Sequence, residues 1–212
     1  MDKIYCINLD KRSDRWNTIC VPQFSKHNLN VERVSAVDGM AVNLPNGFSS
    51  QFKGRIGCAM SHLKVLRLAK ELNVPRVLIL EDDVSFANEF TSTLSNLIVK
   101  VPDNWDMIFL GANHVIKPTF IGNGITKFNK AFTTHAYIVS LHILDELIEL
   151  ISTTLDKWIK EGNNTSNTAV DVLYSNLMSR RNVYGFQKTL VTQMPSVSDI
   201  EGHHVNYTGM IK

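Results

Sequence analysis

The sequence predicts an α/β fold in which a mixed, mostly parallel central sheet is flanked by helices. Short runs of β-branched and aromatic residues alternate with longer segments of helical periodicity, a pattern typical of strands joined by crossover helices. Of the 212 residues, 44% are hydrophobic and 20% are charged, so the chain can bury a sizeable core. The sequence contains no repeat, low-complexity tract or dividing linker, and we therefore expect a single domain over residues 1–212.

The first part of the chain combines buried strands with one long helix. Pro22 is expected to break or kink the mildly amphipathic segment after the first strand. The long helix has apolar side chains at helical spacing on one face, and Asn73-Val74-Pro75 ends it. In chain order, the predicted elements are strands over 3–9 and 30–39, a helix over 56–72, and strands over 77–80 and 105–111.

The second part of the chain begins with a weakly patterned stretch over 112–130, which we interpret as hairpin or loop. A polar loop later in this part offers Asn167 or Thr168 as the cap of a following helix. Strand-like pieces and a polar tail follow that helix. In chain order, the predicted elements are a strand over 131–140, a strongly amphipathic helix over 141–159 and a helix over 169–179.

The net charge of the chain excludes few kinds of binding partner, and its cysteines favour a reducing compartment. The net charge of +2 does not demand a nucleic-acid or membrane partner. The three cysteines match no zinc-binding spacing and are interpreted as reduced thiols. Neither a signal peptide nor a membrane span is visible, so we expect a cytoplasmic protein. A local basic face remains open, with Lys117, Lys127, Lys130, Arg180, Arg181 and Lys188 as its candidates.

Three acids, Glu81, Asp82 and Asp83, directly follow an apolar strand in VLILEDDVSF. Ligands of open α/β sheets bind outside the carboxyl ends of the strands. Alternation along an extended chain sends Glu81 and Asp83 to one side and Asp82 to the other. Because two converging carboxylates repel each other, a divalent cation such as Mn²⁺ or Mg²⁺ between them is one explanation, and such ions commonly clamp a diphosphate. A solvated turn near a helix N-terminus is the alternative.

Eight motifs occur in one order along the chain: INLDKRSDRW, SAVDG, GRIGCAMSHL, LILEDDVSF, DMIFLGA, THAYIVS, VDVLY and PSVSDI. This order resembles glycosyltransferase family 25, the group of bacterial lipooligosaccharide galactosyltransferases and animal collagen galactosyltransferases. The resemblance covers about the whole chain. It implies a GT-A-type fold, a UDP-sugar donor, a divalent metal and inversion at the anomeric carbon. It also implies a nucleotide-sugar-binding half over 1–111 and an acceptor-binding half over 112–212.

The resemblance implies roles for the residues of these motifs. Asp83 would be the principal metal ligand with Glu81 beside it, and the arginines near the first strand are suited to pair with phosphate. The residues implied at the nucleotide-sugar site are Asn8, Arg12, Arg15, Asp38, Gly57, Ser61, His62, Asp82, His135 and Tyr137. Structural alternatives remain open: a solvated helix face for the arginines, a plain Asp-Gly turn for Asp38, a satisfied half-buried histidine for His62, and a core position for Tyr137.

Asp171 lies among apolar residues in AVDVLYSNL, an awkward place for an unpaired carboxylate. An inverting transfer needs one base that removes the acceptor hydroxyl proton, and Asp171 is the candidate. A helix-terminal salt bridge, or a hydrogen bond to the acceptor without base duty, is the alternative. His203 and His204, or Asp199, are candidates for a further metal ligand near the C-terminus, since imidazole suits Mn²⁺. An exposed polar tail is the alternative for the two histidines.

These inferences predict a metal-dependent, inverting hexosyltransferase that uses a UDP-sugar, with galactose as the favoured sugar. The expected acceptor is a lipooligosaccharide or another glycan. A hydroxylated viral DNA base, a protein hydroxylysine and a catalytically inactive nucleotide-sugar-binding module remain as alternatives. The expected cytoplasmic location includes two variants. The protein could be peripheral at the inner membrane, or it could be a viral protein in the host cytoplasm. A phosphotransferase is disfavoured because the sequence has no GxxxxGK[ST] phosphate loop.

Overall fold

The computed structural model describes residues 1–161, 169–206 and 209. The predicted helix cap at Asn167 or Thr168 lies outside the described residues. Six α-helices are described: α1 (Ser13–Arg15), α2 (Val21–Lys26), α3 (Ser50–Glu71), α4 (Phe90–Ile98), α5 (Leu144–Glu161) and α6 (Val170–Leu177). A π-helical turn over Trp16–Cys20 leads into α2, and 3₁₀ turns cover Asp10–Arg12 and Leu141–Ile143.

The described strands are short, as is usual for a twisted α/β sheet. They are β1 (Lys3–Asn8), β2 (Glu32–Ser35), β3 (Arg76–Glu81), β4 (Val84–Phe86), β5 (Met107–Phe109), β6 (Asn113–Ile116), β7 (Thr119–Gly122), β8 (Ile125–Lys127), β9 (Lys130–Phe132), β10 (Ala136–Ser140), β11 (Val183–Phe186), β12 (Val191–Gln193), β13 (Ser196–Val197) and β14 (His204–Val205).

Eight of these strands form the central sheet in the order β2-β1-β3-β10-β5-β11-β8-β7. Strands β10 and β8 pair antiparallel with their neighbours, so the other six strands run in one direction. The predicted mixed, mostly parallel sheet is therefore confirmed. Short antiparallel pairs β12-β4, β13-β14 and β6-β9 lie beside it.

Strand β3 shows how the sheet separates two apolar layers. Alternate side chains point to opposite faces of a strand. Val77 and Ile79 pack into the cluster formed with α3, α5 and α6, whereas Leu78 and Leu80 pack into the cluster that contains Phe24 of α2. Burial on both faces explains why the sequence of β3 is continuously apolar. The strand ends at Glu81, where the chain leaves the core.

Helix α4 and strand β4 were not predicted, and two of the predicted elements have other bounds than expected. Helix α3 begins at Ser50, before the predicted start, because the Ser49 hydroxyl accepts a hydrogen bond from the Phe52 amide and caps the helix. The predicted strand over 131–140 is wrong as a single element. It is split into β9 and β10 because Thr133 has a φ of +81°, which no extended strand accommodates.

The weakly patterned stretch over 112–130 forms β6, β7 and β8, in agreement with the interpretation as hairpin or loop. Pro22 lies at the start of α2, directly after the π-helical turn over Trp16–Cys20, so the type of helix changes next to this proline. Within the described ranges, no helix is both long enough and apolar enough to cross a membrane.

Candidate active site

A cavity of about 570 Å³ opens beyond the carboxyl ends of β1, β2 and β3. Parallel strands bring their ends to one edge of a sheet, so segments that are far apart in sequence meet there. The start of α6 and the segment after β9 line the same cavity. The lining includes Lys11, Arg15, Asp38, Arg55, Cys58, Ser61, His62, Glu81, Asp82, Asp83, Asn113, Thr133, Thr134, Asp171, Gln193, Asp199 and Glu201.

The three acids at the end of β3, Glu81, Asp82 and Asp83, all line the cavity, but each has different partners. We call these three residues the acid turn. Asp82 and Asp83 form the tight turn between β3 and β4, so the expected strand alternation does not extend beyond Glu81. Local turn geometry, and not the two-residue period of a strand, aims the second and third carboxylates.

Asp82 belongs to a buried ion pair. Its carboxylate lies 2.7 Å from Arg15 Nη1 and accepts a hydrogen bond of 2.7 Å from Asn8 Nδ2. Arg15 also donates to the Ser196 hydroxyl at 2.8 Å and to the Val197 carbonyl at 2.6 Å. Removing one partner of a buried charge pair is costly, because the other charge is left buried and unpaired. Asn8, Arg15 and Asp82 therefore tie the N-terminal strand to the acid turn and to the C-terminal segment.

Glu81 faces the interior side of the cavity. It accepts a hydrogen bond of 2.7 Å from the Thr134 hydroxyl, and His62 Nε2 lies 3.3 Å from the same carboxylate oxygen. His62 Nδ1 in turn contacts the Tyr137 hydroxyl at 2.8 Å, and Tyr137 contacts the Tyr174 hydroxyl at 3.3 Å. Burial acts to raise the pKa of Glu81, but His62 and Thr134 outweigh it and hold this pKa below its ordinary value.

Asp83 has the weakest partners of the three acids. Gln193 Nε2 lies 3.5 and 3.4 Å from its two carboxylate oxygens, which is long for hydrogen bonds. Burial, followed by the charges of Glu81 and Asp82, raises the pKa of Asp83 to about 7. Its negative charge is therefore the least compensated in this turn, and a bound cation would stabilise it.

Asp171 lies in the first turn of α6 and is half-buried. Its carboxylate accepts hydrogen bonds from the Val172 amide at 2.8 Å and from the Thr133 amide at 3.2 Å. Burial raises the pKa of Asp171 above its ordinary value, although both backbone bonds oppose this effect. Thr133, whose amide donates to this carboxylate, has a φ of +81°, a conformation that is strained for threonine.

Cationic side chains and three further acids, Asp38, Asp199 and Glu201, line the cavity or pair with its lining. Lys11 pairs with Asp38 at 2.7 Å, and Arg55 lies 4.0 Å from Glu201. Asp199 accepts a bond of 2.5 Å from Arg12, which itself does not line the cavity. The motifs INLDKRSDRW and GRIGC contain Lys11 and Arg55, so a closer reading could have named them.

Seven predicted site residues do not line the cavity, namely Asn8, Arg12, Gly57, His135, Tyr137, His203 and His204. Tyr137 is fully buried between His62 and Tyr174. His135 is also fully buried and donates from Nε2 to the Val191 carbonyl at 3.0 Å. His203 and His204 are exposed in and beside the β13-β14 hairpin. Ser61 lines the cavity, but its hydroxyl donates to the Gly57 carbonyl and accepts from the Val37 amide.

A family profile, described as glycosyltransferase family 25 (LPS biosynthesis protein), matches residues 1–173. The chain belongs to glycosyltransferase family 25. Human procollagen galactosyltransferase 2 is 28% identical, with 69% of this chain and 27% of the relative covered. Mouse procollagen galactosyltransferase 2 is 32% identical, with 52% of this chain and 20% of the relative covered. Human inactive glycosyltransferase 25 family member 3 is 29% identical, with 54% of this chain and 22% of the relative covered. The chain spans about a quarter of the length of these curated relatives.

Two solved structures share the fold of this family 25 chain. One is a glycosyltransferase involved in the glycosylation of the major capsid of PBCV-1, with a TM-score of 0.53, 12% identity, and coverage of 94% of this chain and 95% of that chain. The other is A197 from STIV, with a TM-score of 0.50, 10% identity, and coverage of 97% and 93%. The predicted GT-A-type fold is thereby confirmed.

The structure suggests a packing role for Gly57 of the family 25 motif GRIGC. A Cβ atom at Gly57 would lie 2.6 Å from both the Gly39 amide nitrogen and the Val37 carbonyl oxygen. These are backbone atoms of the turn after β2, which cannot move as easily as a side chain. Glycine at this position therefore lets α3 approach the turn that carries Asp38 into the cavity rim.

We expect Gly57→Ala to lower the free energy of unfolding by about 2 kcal/mol, because overpacking outweighs the helix-propensity gain of alanine. Urea denaturation measures this change. Gly54→Ala on the same helix is the matched control, since its Cβ would lie 3.1 Å from Ile200 Cα and should cost less. Equal stability of Gly57→Ala and the wild type would contradict the packing role.

The donor set of the acid turn fits a divalent cation held mainly through Asp83. Glu81 and Asp82 already have close partners, whereas Asp83 has only long contacts to Gln193. In the described part of the chain, no three His, Cys, Asp or Glu side chains converge into a preformed metal cluster. Mg²⁺ and Mn²⁺ are commonly bound by one or two carboxylates together with phosphate oxygens of the substrate, and one free carboxylate suits that arrangement.

Proposed function

We propose that this chain is an inverting, metal-dependent glycosyltransferase that moves a hexose from a UDP-sugar to a hydroxyl acceptor. The observation that carries the proposal is one cavity lined both by the acid turn after β3 and by Asp171 of α6. A transferase needs a site for the diphosphate and a base for the acceptor, and these two groups of acids match those needs. Several relatives are named galactosyltransferases, which supports galactose as the sugar.

The donor side of the cavity is proposed to be the edge formed by residues 1–111. Lys11 and Arg55 supply positive charge at the rim, where a diphosphate would exchange with the carboxylates they now contact. Asp38 is suited to accept hydrogen bonds from a ribose hydroxyl or from uracil once Lys11 turns to phosphate. Arg15 lines the cavity but pairs with Asp82, so its proposed part is to support the acid turn.

A divalent cation bound at Asp83 would supply charge neutralisation for the diphosphate leaving group. The protein's own part is to leave the Asp83 carboxylate without close partners, and so available to a cation, while Glu81 and Asp82 are held by Thr134 and Arg15. This proposal keeps Asp83 as the principal metal ligand, as the family resemblance implies, and gives Glu81 a smaller part because Thr134 and His62 already contact its carboxylate. His203 and His204 could join only if the C-terminal hairpin changed its position, and we therefore assign them no metal role.

Asp171 is proposed to be the base of the transfer. Its carboxylate accepts the proton of the acceptor hydroxyl while that oxygen forms a bond to the anomeric carbon. The bond from the anomeric carbon to the diphosphate oxygen breaks at the same time, and its electron pair leaves with UDP. The raised pKa of Asp171 brings its basicity closer to the operating pH. Attack on the face opposite the leaving group inverts the anomeric centre.

A glycan hydroxyl is the proposed acceptor, and lipopolysaccharide is the class that the family description names. The relatives named procollagen galactosyltransferases support a protein hydroxyl as the second candidate. One human relative is named inactive. Because Glu81, Asp83 and Asp171 are all present in this chain, we favour an active transferase.

Calorimetric titration with UDP-galactose and UDP-glucose, with and without Mn²⁺, tests this proposal. We expect binding of one UDP-sugar that is at least about tenfold tighter with Mn²⁺, because the ion joins carboxylate and diphosphate. UDP-mannose or a CMP-sugar serves as the mismatched donor control. Failure of every UDP-sugar to bind in the presence of Mn²⁺ would contradict the proposal.

A further inference from the structure

Four exposed apolar side chains lie close together in sequence on β6 and β7. Val115, Ile116, Phe120 and Ile121 are 45–58% exposed. They are four of the ten large apolar residues that are exposed in the described ranges, and they lie within seven consecutive positions. We call these four residues the apolar patch. Clustered exposed apolar side chains mark an interaction surface more often than isolated ones do.

The apolar patch is presented on a rigid support. Asn129 Nδ2 donates to the Lys117 carbonyl at 2.7 Å and to the Thr119 hydroxyl at 3.2 Å, which fixes the connection between β6 and β7. Below this connection, the ring of His114 packs edge-on against Phe128 at 4.5 Å. The exposure of the patch is therefore a property of a hydrogen-bonded structure and not of a loose loop.

Lysines surround the apolar patch, and acids are absent from its part of the sequence. Lys130 lies opposite Ile116 in the β6-β9 pair, and Lys127 lies opposite Thr119 in the β7-β8 pair. Lys117 follows Ile116 directly and is exposed. Residues 107–144 contain no Asp or Glu. Within the described chain, none of these three lysines forms an ion pair, so their charge is available to an external partner.

We propose that the apolar patch and its three lysines dock on the surface of an anionic lipid bilayer. Apolar side chains inserted at the headgroup boundary, with lysines contacting anionic headgroups, are the usual elements of peripheral membrane binding. A second copy of this chain is a poorer partner. A two-fold interface would bring the patch against itself and would set lysines against lysines.

Docking at this surface would orient the cavity towards the bilayer. Asn113 at the start of β6 lines the cavity, and Val115 is two residues further along the strand, which corresponds to about 7 Å. An acceptor anchored in the same bilayer would therefore meet the cavity at short range. The proposal goes beyond the transfer reaction, and vesicle binding requires no donor, so either proposal can fail alone.

Vesicle co-sedimentation tests the docking surface. We expect the full chain to bind phosphatidylcholine vesicles that contain about one third phosphatidylglycerol, and to bind pure phosphatidylcholine vesicles at least about fivefold more weakly. Phe120→Ser with Ile121→Ser should weaken binding to the anionic vesicles at least about tenfold. Lys117→Glu with Lys127→Glu should weaken it by a similar factor, since one lysine near such a surface contributes about fivefold.

Matched controls separate the surface from general effects of substitution. Val99→Ser changes another exposed apolar residue, and Lys157→Glu changes another exposed lysine; both should bind vesicles as the wild type does. Thermal unfolding should be unchanged in all variants because the residues are at the surface. Absence of wild-type binding to anionic vesicles would overturn the proposal. So would self-association in sedimentation velocity that depends on Phe120 and Ile121 while the vesicles remain unbound.

Discussion

Asp171→Asn is expected to lower kcat by about 10²–10⁴-fold while the affinity for the UDP-sugar stays close to that of the wild type. The amide cannot accept the hydroxyl proton, so the loss falls on the chemical step. One carbonyl oxygen remains to accept a hydrogen bond from the Val172 or the Thr133 amide. Steady-state kinetics with donor and acceptor, together with calorimetric donor titration, separate the two effects.

The pH dependence gives an independent check on Asp171. Burial raises the pKa of Asp171 and favours its protonated form in the folded protein. When the pH is lowered, Asp171 therefore takes up a proton, and stops acting as a base, at a higher pH than an ordinary aspartate does. By linkage, the contribution of this group to stability is present below its unfolded pKa and is lost as pH rises through its raised folded pKa. Stability and activity should therefore respond oppositely to pH. Activity should increase as the pH rises through the folded pKa of Asp171, because the ionised carboxylate is the base.

Asp156→Asn on α5 is the matched control for Asp171→Asn, because Asp156 is an exposed acid outside the cavity. It should leave kcat and the donor affinity unchanged. Wild-type kcat in Asp171→Asn would contradict the base assignment. A product with retained anomeric configuration, measured by NMR, would contradict the inverting reaction itself and would call for a nucleophile in place of a base.

Asp83→Asn is expected to lower kcat/KM by about 10²–10³-fold, because the several kcal/mol that a metal ion contributes at the diphosphate would be lost. The tightening of donor binding by Mn²⁺ should disappear in the same variant. The protein should remain folded, since the substitution removes a negative charge that Glu81 and Asp82 oppose. Initial rates over a Mn²⁺ titration and calorimetry with UDP-galactose measure both effects.

Asp103→Asn controls for the loss of one acid, since Asp103 is exposed and does not line the cavity. It should keep the full Mn²⁺ response. Asp83→Asn that retains this response would contradict the assignment of the metal to Asp83. If Glu81→Gln abolished the response in its place, the metal would belong on the other acid, and the hydrogen bond from Thr134 would have to break on metal binding.

The sequence identified the acid turn correctly as a group but not the partners of its members. LILEDD indicates carboxylates at a strand end because an apolar run and its abrupt end are local features. Arg15 was expected at a phosphate, yet it bonds Asp82, which is 67 positions away, and Ser196, which is 181 positions away. No pattern within a few residues encodes such contacts.

Gln193 and Thr133 also make contacts that the local sequence does not reveal. Gln193 reaches Asp83 because β12 pairs with β4 and sets Gln193 opposite Val84, a register that neither strand reveals alone. Thr133 donates its amide to Asp171 only in the left-handed conformation that divides β9 from β10. AFTTHAYIVS, residues 131–140, looks like one continuous strand because threonine does not mark that break in sequence.

The sequence by itself determined the α/β alternation, the order of the family 25 motifs and the acids beyond β3. These features follow from residue periodicity and from short motifs, which act over a few positions. Only the tertiary structure decided which acid lacks close partners, which amide holds Asp171, and that four apolar side chains on β6 and β7 stay exposed among lysines. These outcomes depend on packing and hydrogen bonds between segments that are distant in the chain, which no short motif encodes.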